Sequence, residues 1–372
     1  MQTMESKHHI SNENTTPNIA KVSQSNHNQK YQQKTQNKIS SNTYQQRPPS
    51  PGVISSTPWN VYSPYITDGA FVNDVEYDPK YNLKNFLNVT ENGQRKVIGV
   101  GSLATVYIGL NTIDNKYYAI KHMKKEELQG TTKMGVGVMR EMQYQSRIYH
   151  PNIVRLLNVQ ETDRSYYYVI EYADSGSLFN YIRIRNYLKE DDAFRFFIQV
   201  VNAIYFLHCN NFIHRDLKPE NLLVFDNKTV KLADFGWCCN LSEFQGARST
   251  FCGTVEYMSP EIVGQQNYTK EIDVWSLGIL LYEMLHGYSP FSSPSTGDDE
   301  RHVIENIKLH KLNFAGHISK EAKELICRML DPNPSTRIKV EEIFSSDFVK
   351  KYEKISFGIP EKVDLKIYRG KK

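Results

Sequence analysis

His214-Arg215-Asp216-Leu217-Lys218-Pro219-Glu220-Asn221, followed thirteen residues after Asn221 by Asp234-Phe235-Gly236, is the stretch on which the reading of this chain turns. Working outward, Ala193, Phe196, Phe197, Val200, Val201, Ile204 and Phe206 recur at the gaps of one helix face, so the motif follows a core-facing helix. Upstream of Ser177 the pattern changes. Lys96-Val97-Ile98, Ala104 to Ile108, Tyr117 to Lys121 and Tyr166 to Glu171 are short strand-like runs, with Asp114-Asn115 as a turn. Only Met134 to Ile148 interrupts them with a helical pattern. The expected architecture is a small β-rich lobe ahead of a larger helical one, without internal repeats.

At 372 residues, 40% hydrophobic and 23% charged, the chain is long enough for one enzyme-sized domain with flanks or two lobes sharing an interface. Residues 1–50 contain no Leu, Phe or Trp, and the first Leu is Leu83, so this region cannot offset its chain entropy by burial and reads as disordered. Aromatic residues Trp59, Tyr62, Tyr65 and Phe71 either dock on something folded or belong to an extended linker. The first 50 residues carry a net charge of +4, equal to that of the whole chain, so the rest is formally neutral and shows no nucleic-acid footprint. Six cations scattered over that tail make too thin a patch to assign a partner. The five cysteines, 209, 238, 239, 252 and 327, have no CxxC spacing and no signal peptide ahead of them, which implies a reducing compartment. No apolar run approaches the ~20 residues that span a bilayer.

Ile98-Gly99-Val100-Gly101-Ser102-Leu103-Ala104-Thr105-Val106 is a glycine-rich loop between two strands, on its own as readily a plain hairpin. Tyr118-Ala119-Ile120-Lys121 then ends an apolar strand in a lysine, and Glu141 falls in the expected helix; each alone reads as a solvated surface charge.

Together with the opening stretch, these residues closely resemble the protein-kinase signature set over about Lys84 to Lys351. The resemblance implies an α+β, bilobal fold. Its small lobe, 84–171, would hold a five-stranded antiparallel sheet with one main helix, hinged near Glu171 to Gly176 onto a mostly helical lobe, 172–351; residues 1–83 and 352–372 would be an extension with linker and a short basic tail. It implies ATP and Mg²⁺ as cofactors and carries the following roles over. Asp216 orients the substrate hydroxyl, Lys218 neutralises the moving phosphoryl group, and Asn221 and Asp234 offer oxygens to Mg²⁺. Lys121, ion-paired to Glu141, holds the α- and β-phosphates under the loop Gly99 to Ala104. Ile98, Val106, Ala119 and Leu223 sandwich adenine, backbone groups of Glu171 and Ala173 bond its edge, and Ile170 guards the back of the pocket. Gly99, Val100, Gly101 and Glu220 complete the nucleotide-site set. Ser259-Pro260-Glu261 stands where the family has Ala-Pro-Glu, with Arg337 as the buried partner of Glu261. Asp273 should bond back to the catalytic-loop backbone.

Lys218-Pro219-Glu220 has the Ser/Thr-kinase form, and Thr254 is placed to bond Asp216 and Lys218. Glu220 and Glu283 match positions that hold an arginine two residues before the target in basophilic kinases, or are ordinary surface glutamates. Asp234-Phe235-Gly236-Trp237, Ser249 to Thr254, Arg140-Glu141 with Gln145-Ser146, and His150-Pro151-Asn152-Ile153 together resemble Aurora kinases. Gln145 stands one turn beyond Glu141, facing a stack through Leu156, Phe235 and His214, where most kinases carry an apolar residue. A polar group there should leave the active arrangement dependent on help. By resemblance that help is phosphorylation of Thr250, or of Ser249 as runner-up, with Arg248 just upstream and Arg215 as a charge partner, and an activating scaffold protein on the small lobe. Thr250 also reads as a plain exposed loop residue.

Departures from the pattern are Ala104 for the third glycine, Leu103 for the loop-tip aromatic and Ser259 for alanine. The insert Ser292 to Asp299 reads as a surface loop, and Cys238-Cys239 as reduced. Only 35 residues follow Arg337, without a terminal Phe-x-x-Phe or a second domain, which argues against the cyclic-nucleotide-type and polo-like alternatives. A pseudokinase scaffold, the third alternative, is opposed by Lys121, Glu141, Asp216, Asn221 and Asp234. The resemblance implies protein substrates with Ser or Thr, some in Arg-containing sites. The lack of a long apolar run speaks against a membrane partner, and charge speaks against nucleic acid for the folded part, the basic tail being open to nucleic acid, acidic proteins or nothing. It implies a mitotic role in cytoplasm and nucleus, at spindle, centrosome or chromosomes. Ser50-Pro51 matches a proline-directed phosphosite.

Overall fold

The computed structural model describes residues 75 and 77–352, except 102, 130–131, 245–252 and 293–298. These residues belong to the second of two units, 55–372, the first being 1–54. The expectations for the polar extension, for Trp59, Tyr62, Tyr65 and Phe71, for Arg248 to Cys252, for most of the Ser292 to Asp299 insert and for the tail beyond Tyr352 lie outside the described residues.

The small lobe is an antiparallel sheet of β1 (Phe86–Asn88), β2 (Val97–Val100), β3 (Thr105–Asn111), β4 (Tyr117–Lys124), β5 (Leu156–Glu161) and β6 (Ser165–Glu171). Its order is β1-β3-β4-β6-β5, with β2 also paired to β3. Six strands appear where five were expected, because the edge position is divided: β1 covers one end of β3 and β2 the other. Between them Thr90–Glu91 and Gln94–Arg95 make a minor hairpin, turned by Asn92 and Gly93 at φ 54 and 78. Two consecutive positive φ values suit a tight hairpin turn, which is why Asn-Gly stands there.

Strand register separates the two faces. Lys121 lies opposite Val106 and Tyr168, and Ala119 opposite Ile108 and Ile170, so all six share one face. Against that face packs α2 (Thr132–Gln145), reached through α1 (Lys125–Gln129), with Met123, Leu128, Val138, Leu156 and Tyr168 as the shared core. Tyr168 donates its hydroxyl to the Val138 carbonyl at 2.8 Å, tying helix to sheet. On the other face Tyr118, Leu157 and Val169 are covered by Tyr81, Leu83 and Phe86. The segment leading into β1 is therefore a strap across the sheet: Lys80 pairs with Asp114 at 2.8 Å, and Asn111 Nδ2 donates to the Lys80 carbonyl at 3.0 Å.

In the large lobe α3 (Leu178–Arg185), α4 (Glu190–Cys209), the hairpin β7 (Leu222–Phe225) and β8 (Thr229–Leu232), α5 (Glu271–His286), α6 (Glu300–Leu309) and α7 (Lys320–Met329) follow in order. The α4 residues picked out by their spacing, Ala193 to Phe206, are all buried. Each buried Phe of that set contributes roughly 1.5–3 kcal/mol, so α4 and the equally buried α5 form a stiff base. Among the described residues no helix is long and apolar enough to cross a membrane. Cys238 and Cys239 are buried in the core.

Candidate active site

The catalytic-loop stretch hangs from α5 through Asp273. This buried carboxylate accepts from the backbone N–H of His214 and of Arg215, both at 2.9 Å, and from Nε2 of His208 at 2.9 Å. Burial alone would raise its pKa; His208 and the two amides outweigh that and hold it below the usual carboxylate value. Arg215 has a φ of 71, a costly left-handed conformation for a bulky residue, and the Asp273 bonds fix it there. Its guanidinium reaches the Trp237 carbonyl at 2.7 Å and Tyr268 Oη at 3.0 Å.

Asp216 is thereby presented with both oxygens engaged. Oδ2 accepts from Asn221 Nδ2 at 2.9 Å and meets Lys218 Nζ at 3.1 Å. Oδ1 accepts from Thr254 Oγ1 at 3.1 Å, and Lys218 Nζ donates to the same hydroxyl at 2.7 Å. Gly253 makes this approach possible: at φ +95, an added Cβ would lie 2.7 Å from the Arg215 carbonyl.

Across the cleft Lys121 Nζ donates to both oxygens of Glu141 at 2.6 Å. Although burial opposes the charged form, Glu141 and then Asp234 raise the lysine pKa, so it stays an ammonium. Asp234, at φ 61, accepts from the Gly236 N–H at 3.1 Å. Burial would push its carboxyl up, but Lys121 and that amide hold it down. Gly137 lets α2 pass this point, since a Cβ there would stand 3.2 Å from the Gly236 carbonyl. His214 meets Phe235 edge-on at 5.2 Å. Gln145 is buried; Nε2 donates to the Val154 carbonyl at 2.8 Å, while Oε1 has no partner.

On the nucleotide side, Gly99 pairs with Val106, and a register irregularity falls at Ile98, where a bulge re-aims the side chain. Gly101 N–H closes the loop on the Ala104 carbonyl at 2.8 Å, and Leu103 and Ala104 pack against the small-lobe core. Val100 is exposed at the mouth, and Val106 and Ala119 lie on the Lys121 face. Glu171 ends β6 and anchors the hinge, its carboxylate accepting from Lys231 Nζ at 2.6 Å and from the Arg155 N–H at 2.9 Å. Ala173 follows, and Leu223 bridges to Ser177 from below.

On the far side of Asp216, Glu283 accepts from the Tyr257 hydroxyl, and burial followed by the neighbouring Glu220 and Glu256 raises its pKa. Glu220 is exposed, whereas Glu283 is not. Glu261 and Arg337 form the expected buried pair at 2.7 Å. Sequence reasoning missed His208, Tyr257, Lys231 and Gly137, which carry no motif and are joined to the site only by the fold. Thr250 and Ser249 lie outside the described residues.

No cluster of three His, Cys, Asp or Glu groups suited to a metal occurs among the described residues. One carboxylate, Asp234, and one carboxamide, Asn221, suit a hard cation that completes its shell with water and phosphate oxygens, as Mg²⁺ does. Asn221 spends its N–H₂ on Asp216, leaving its oxygen for such an ion.

This geometry is that of a bilobal phosphotransferase cleft, and the comparisons agree. The protein kinase domain family matches residues 93–349, so the chain belongs to the protein kinase family. It is 36% identical over 270 residues to an Aurora kinase of Dictyostelium discoideum, covering 73% of this chain and 68% of that one. It is 38% identical over 274 residues to CBL-interacting protein kinase 12 of Oryza sativa subsp. japonica, and 35% over 263 to CBL-interacting serine/threonine-protein kinase 10 of Arabidopsis thaliana. These matches cover 72% and 69% of this chain and 49% and 53% of the plant proteins, about half their length. More particularly, the chain is a protein-serine/threonine kinase, an ATP-dependent phosphotransferase resembling the Aurora kinases.

Proposed function

We propose that this kinase is basophilic and Aurora-like, phosphorylating Ser and Thr in Arg-containing sites of proteins that act in mitosis or chromosome segregation, with residues 84–351 as its catalytic domain. The observation that carries the reading is Gln145, a carboxamide buried one turn beyond Glu141 with one oxygen unpartnered, the polar substitution that Aurora kinases share. Overall identity does not separate Aurora from the plant kinases, so the particular residues carry the argument.

In the proposed mechanism Asp216, fixed by Asn221 and Thr254, accepts the hydrogen bond of the incoming hydroxyl and aims it at the γ-phosphorus. Lys218 then lies beside the transferring group and offsets its growing charge. Lys121, kept charged by Glu141 and Asp234, holds the α- and β-phosphates, while the Gly99 to Ala104 loop covers them. Asp234 and Asn221 would hold Mg²⁺, which when bound neutralises charge on the phosphoryl oxygens. Ile98, Val106, Ala119 and Leu223 enclose adenine, whose edge meets the backbone at Glu171 and Ala173. Glu220 and Glu283 receive the substrate arginine two residues before the target. Phosphorylation of Thr250, or of Ser249, together with a scaffold protein on the small lobe, completes activation. The site of action is cytoplasm and nucleus, at spindle, centrosome or chromosomes.

The test is transfer from Mg-ATP to a Ser peptide with arginine two residues upstream. Asp234→Asn should abolish transfer, Thr250→Ala should weaken it, and removing the arginine should raise KM. Robust transfer that ignores the arginine would defeat the basophilic reading, and full activity in Asp234→Asn would defeat the site assignment.

A further inference from the structure

Tyr144, in the last turn of α2, is buried, and its hydroxyl donates to both carboxylate oxygens of Glu243, at 3.2 Å to Oε1 and 3.0 Å to Oε2. Its ring meets Phe212 edge-on at 5.0 Å. Phe212–Ile213 is the short strand that runs into His214, and it pairs with Cys239–Asn240 just beyond Asp234-Phe235-Gly236. Glu243 follows in the single turn Leu241–Phe244. One side chain therefore touches the helix that carries Glu141, the strand that feeds the catalytic loop, and the start of the segment leading to Thr250.

We propose that Tyr144 and Glu243 form a latch, Tyr144 acting as a positioning residue that makes the Lys121–Glu141 pairing conditional on the seating of the segment after Gly236. The inference rests on the roles given above to Lys121 and Glu141. The next residue along the helix shows why a latch is needed. Gln145 anchors this end of α2 by one hydrogen bond and leaves Oε1 buried without a partner, so the seat is under-bonded. The Tyr144 hydroxyl, shared between the two oxygens of Glu243, supplies a second polar tie at this end of the helix, reaching the segment that Gln145 does not. Burial, reinforced by Glu243, pushes the Tyr144 hydroxyl up to about 12, so it remains a donor throughout the physiological range. Glu141 precedes Tyr144 by three residues on the same helix, so a displacement of Tyr144 is carried directly to the lysine's partner.

The test uses the full chain and steady-state transfer to a Ser peptide. Tyr144→Phe keeps the ring on Phe212 and removes only the donor; Glu243→Ala removes the acceptor from an exposed side chain; Glu243→Gln keeps an acceptor oxygen. The first two should each lower kcat about three- to tenfold, the range expected for one such bond, with KM for ATP and peptide within about twofold. The Tyr144→Phe/Glu243→Ala double variant should fall no further, and Glu243→Gln should retain most of kcat. Glu141→Ala, run in parallel, should be inactive. If Glu141→Ala is inactive while Tyr144→Phe and Glu243→Ala keep full kcat, or if their losses simply add, the latch is overturned and the site reading stands. If Glu141→Ala itself stays active, the reading beneath the latch fails, and the latch with it. Should Tyr144→Phe not fold, Glu243→Ala and Glu243→Gln decide the matter.

Discussion

Tyr257 donates its hydroxyl to Oε2 of Glu283 across 2.5 Å. Burial, offset in part by that bond and reinforced by Glu220 and Glu256, pushes the Glu283 carboxyl up to about 7. A substrate guanidinium needs the carboxylate form, so an Arg-containing peptide should bind better as pH rises from 6 to 8, its KM falling about three- to tenfold. The same peptide without the arginine should show a flat KM, as should Glu283→Gln with either peptide. For folding the sign is opposite. A carboxyl with a raised folded-state pKa contributes stability that is complete below its ordinary value of 4.5 and lost as pH climbs through about 7. A pH-independent KM in the unmodified protein would remove Glu283 from arginine recognition.

The Glu261–Arg337 pair tests the large lobe. Arg337 donates to Glu261 at 2.7 and 3.0 Å, to the Glu271 carbonyl at 2.9 Å and to the Asp331 carbonyl at 2.9 Å, over the ring of Trp275. Arg337→Ala would leave a buried carboxylate and two carbonyls without this partner, and should cost about 3–5 kcal/mol in urea unfolding. Lysine cannot reproduce the fork, so Arg337→Lys should recover little. Replacing both partners, Glu261→Leu with Arg337→Met, should recover a good part, because no buried charge is then stranded. A loss below about 1 kcal/mol for Arg337→Ala would mean that the pair is not holding the lobe.

What could be read in the sequence divides by distance along the chain and by chemistry. The bilobal plan and the Lys121–Glu141, Glu261–Arg337 and Asp273 contacts were legible, because their residue types recur in one spacing and each end of the contact is marked. Tyr144–Glu243 spans 99 positions with neither end in a motif, and Tyr257–Glu283 had only its glutamate marked. The positive φ of Arg215 left no signal, since a bulky side chain rarely adopts it, and Asp234 left only the weak one that Asp tolerates a left-handed backbone better than most residues. The divided edge strand was missed because β1, at Phe86–Asn88, is too short for periodicity to reveal. Gln145 was located correctly as a polar intruder, but only the fold shows its amide turned to the Val154 backbone.

Thr254 separates the hydroxyl's chemistry from its volume. Thr254→Val preserves shape while deleting the donor to Asp216 and the acceptor for Lys218. Two contacts to charged groups are lost, so kcat should fall about 10- to 100-fold, with KM for ATP little changed. Thr254→Ser keeps the oxygen and should stay within about threefold of the parent. Equal kcat for Val and Ser would show that Thr254 does not orient Asp216.

The strap ahead of β1 makes a prediction about stability. Asn111 is fully buried; Nδ2 donates to the Lys80 carbonyl at 3.0 Å, and Oδ1 accepts from the Ile113 N–H at 2.8 Å. Asn111→Asp keeps the acceptor but turns an oxygen toward the Lys80 carbonyl, replacing a hydrogen bond with repulsion, and should cost about 2–3 kcal/mol in the full chain. In a chain beginning at Leu83 that carbonyl is gone, so the same substitution should cost distinctly less, and the difference measures what the strap contributes at this point. Equal costs in the two backgrounds would mean that residues before Leu83 do not hold the sheet through Asn111. A difference of about 1 kcal/mol or more would place the strap among the contacts that keep the Tyr118 face of the small lobe covered.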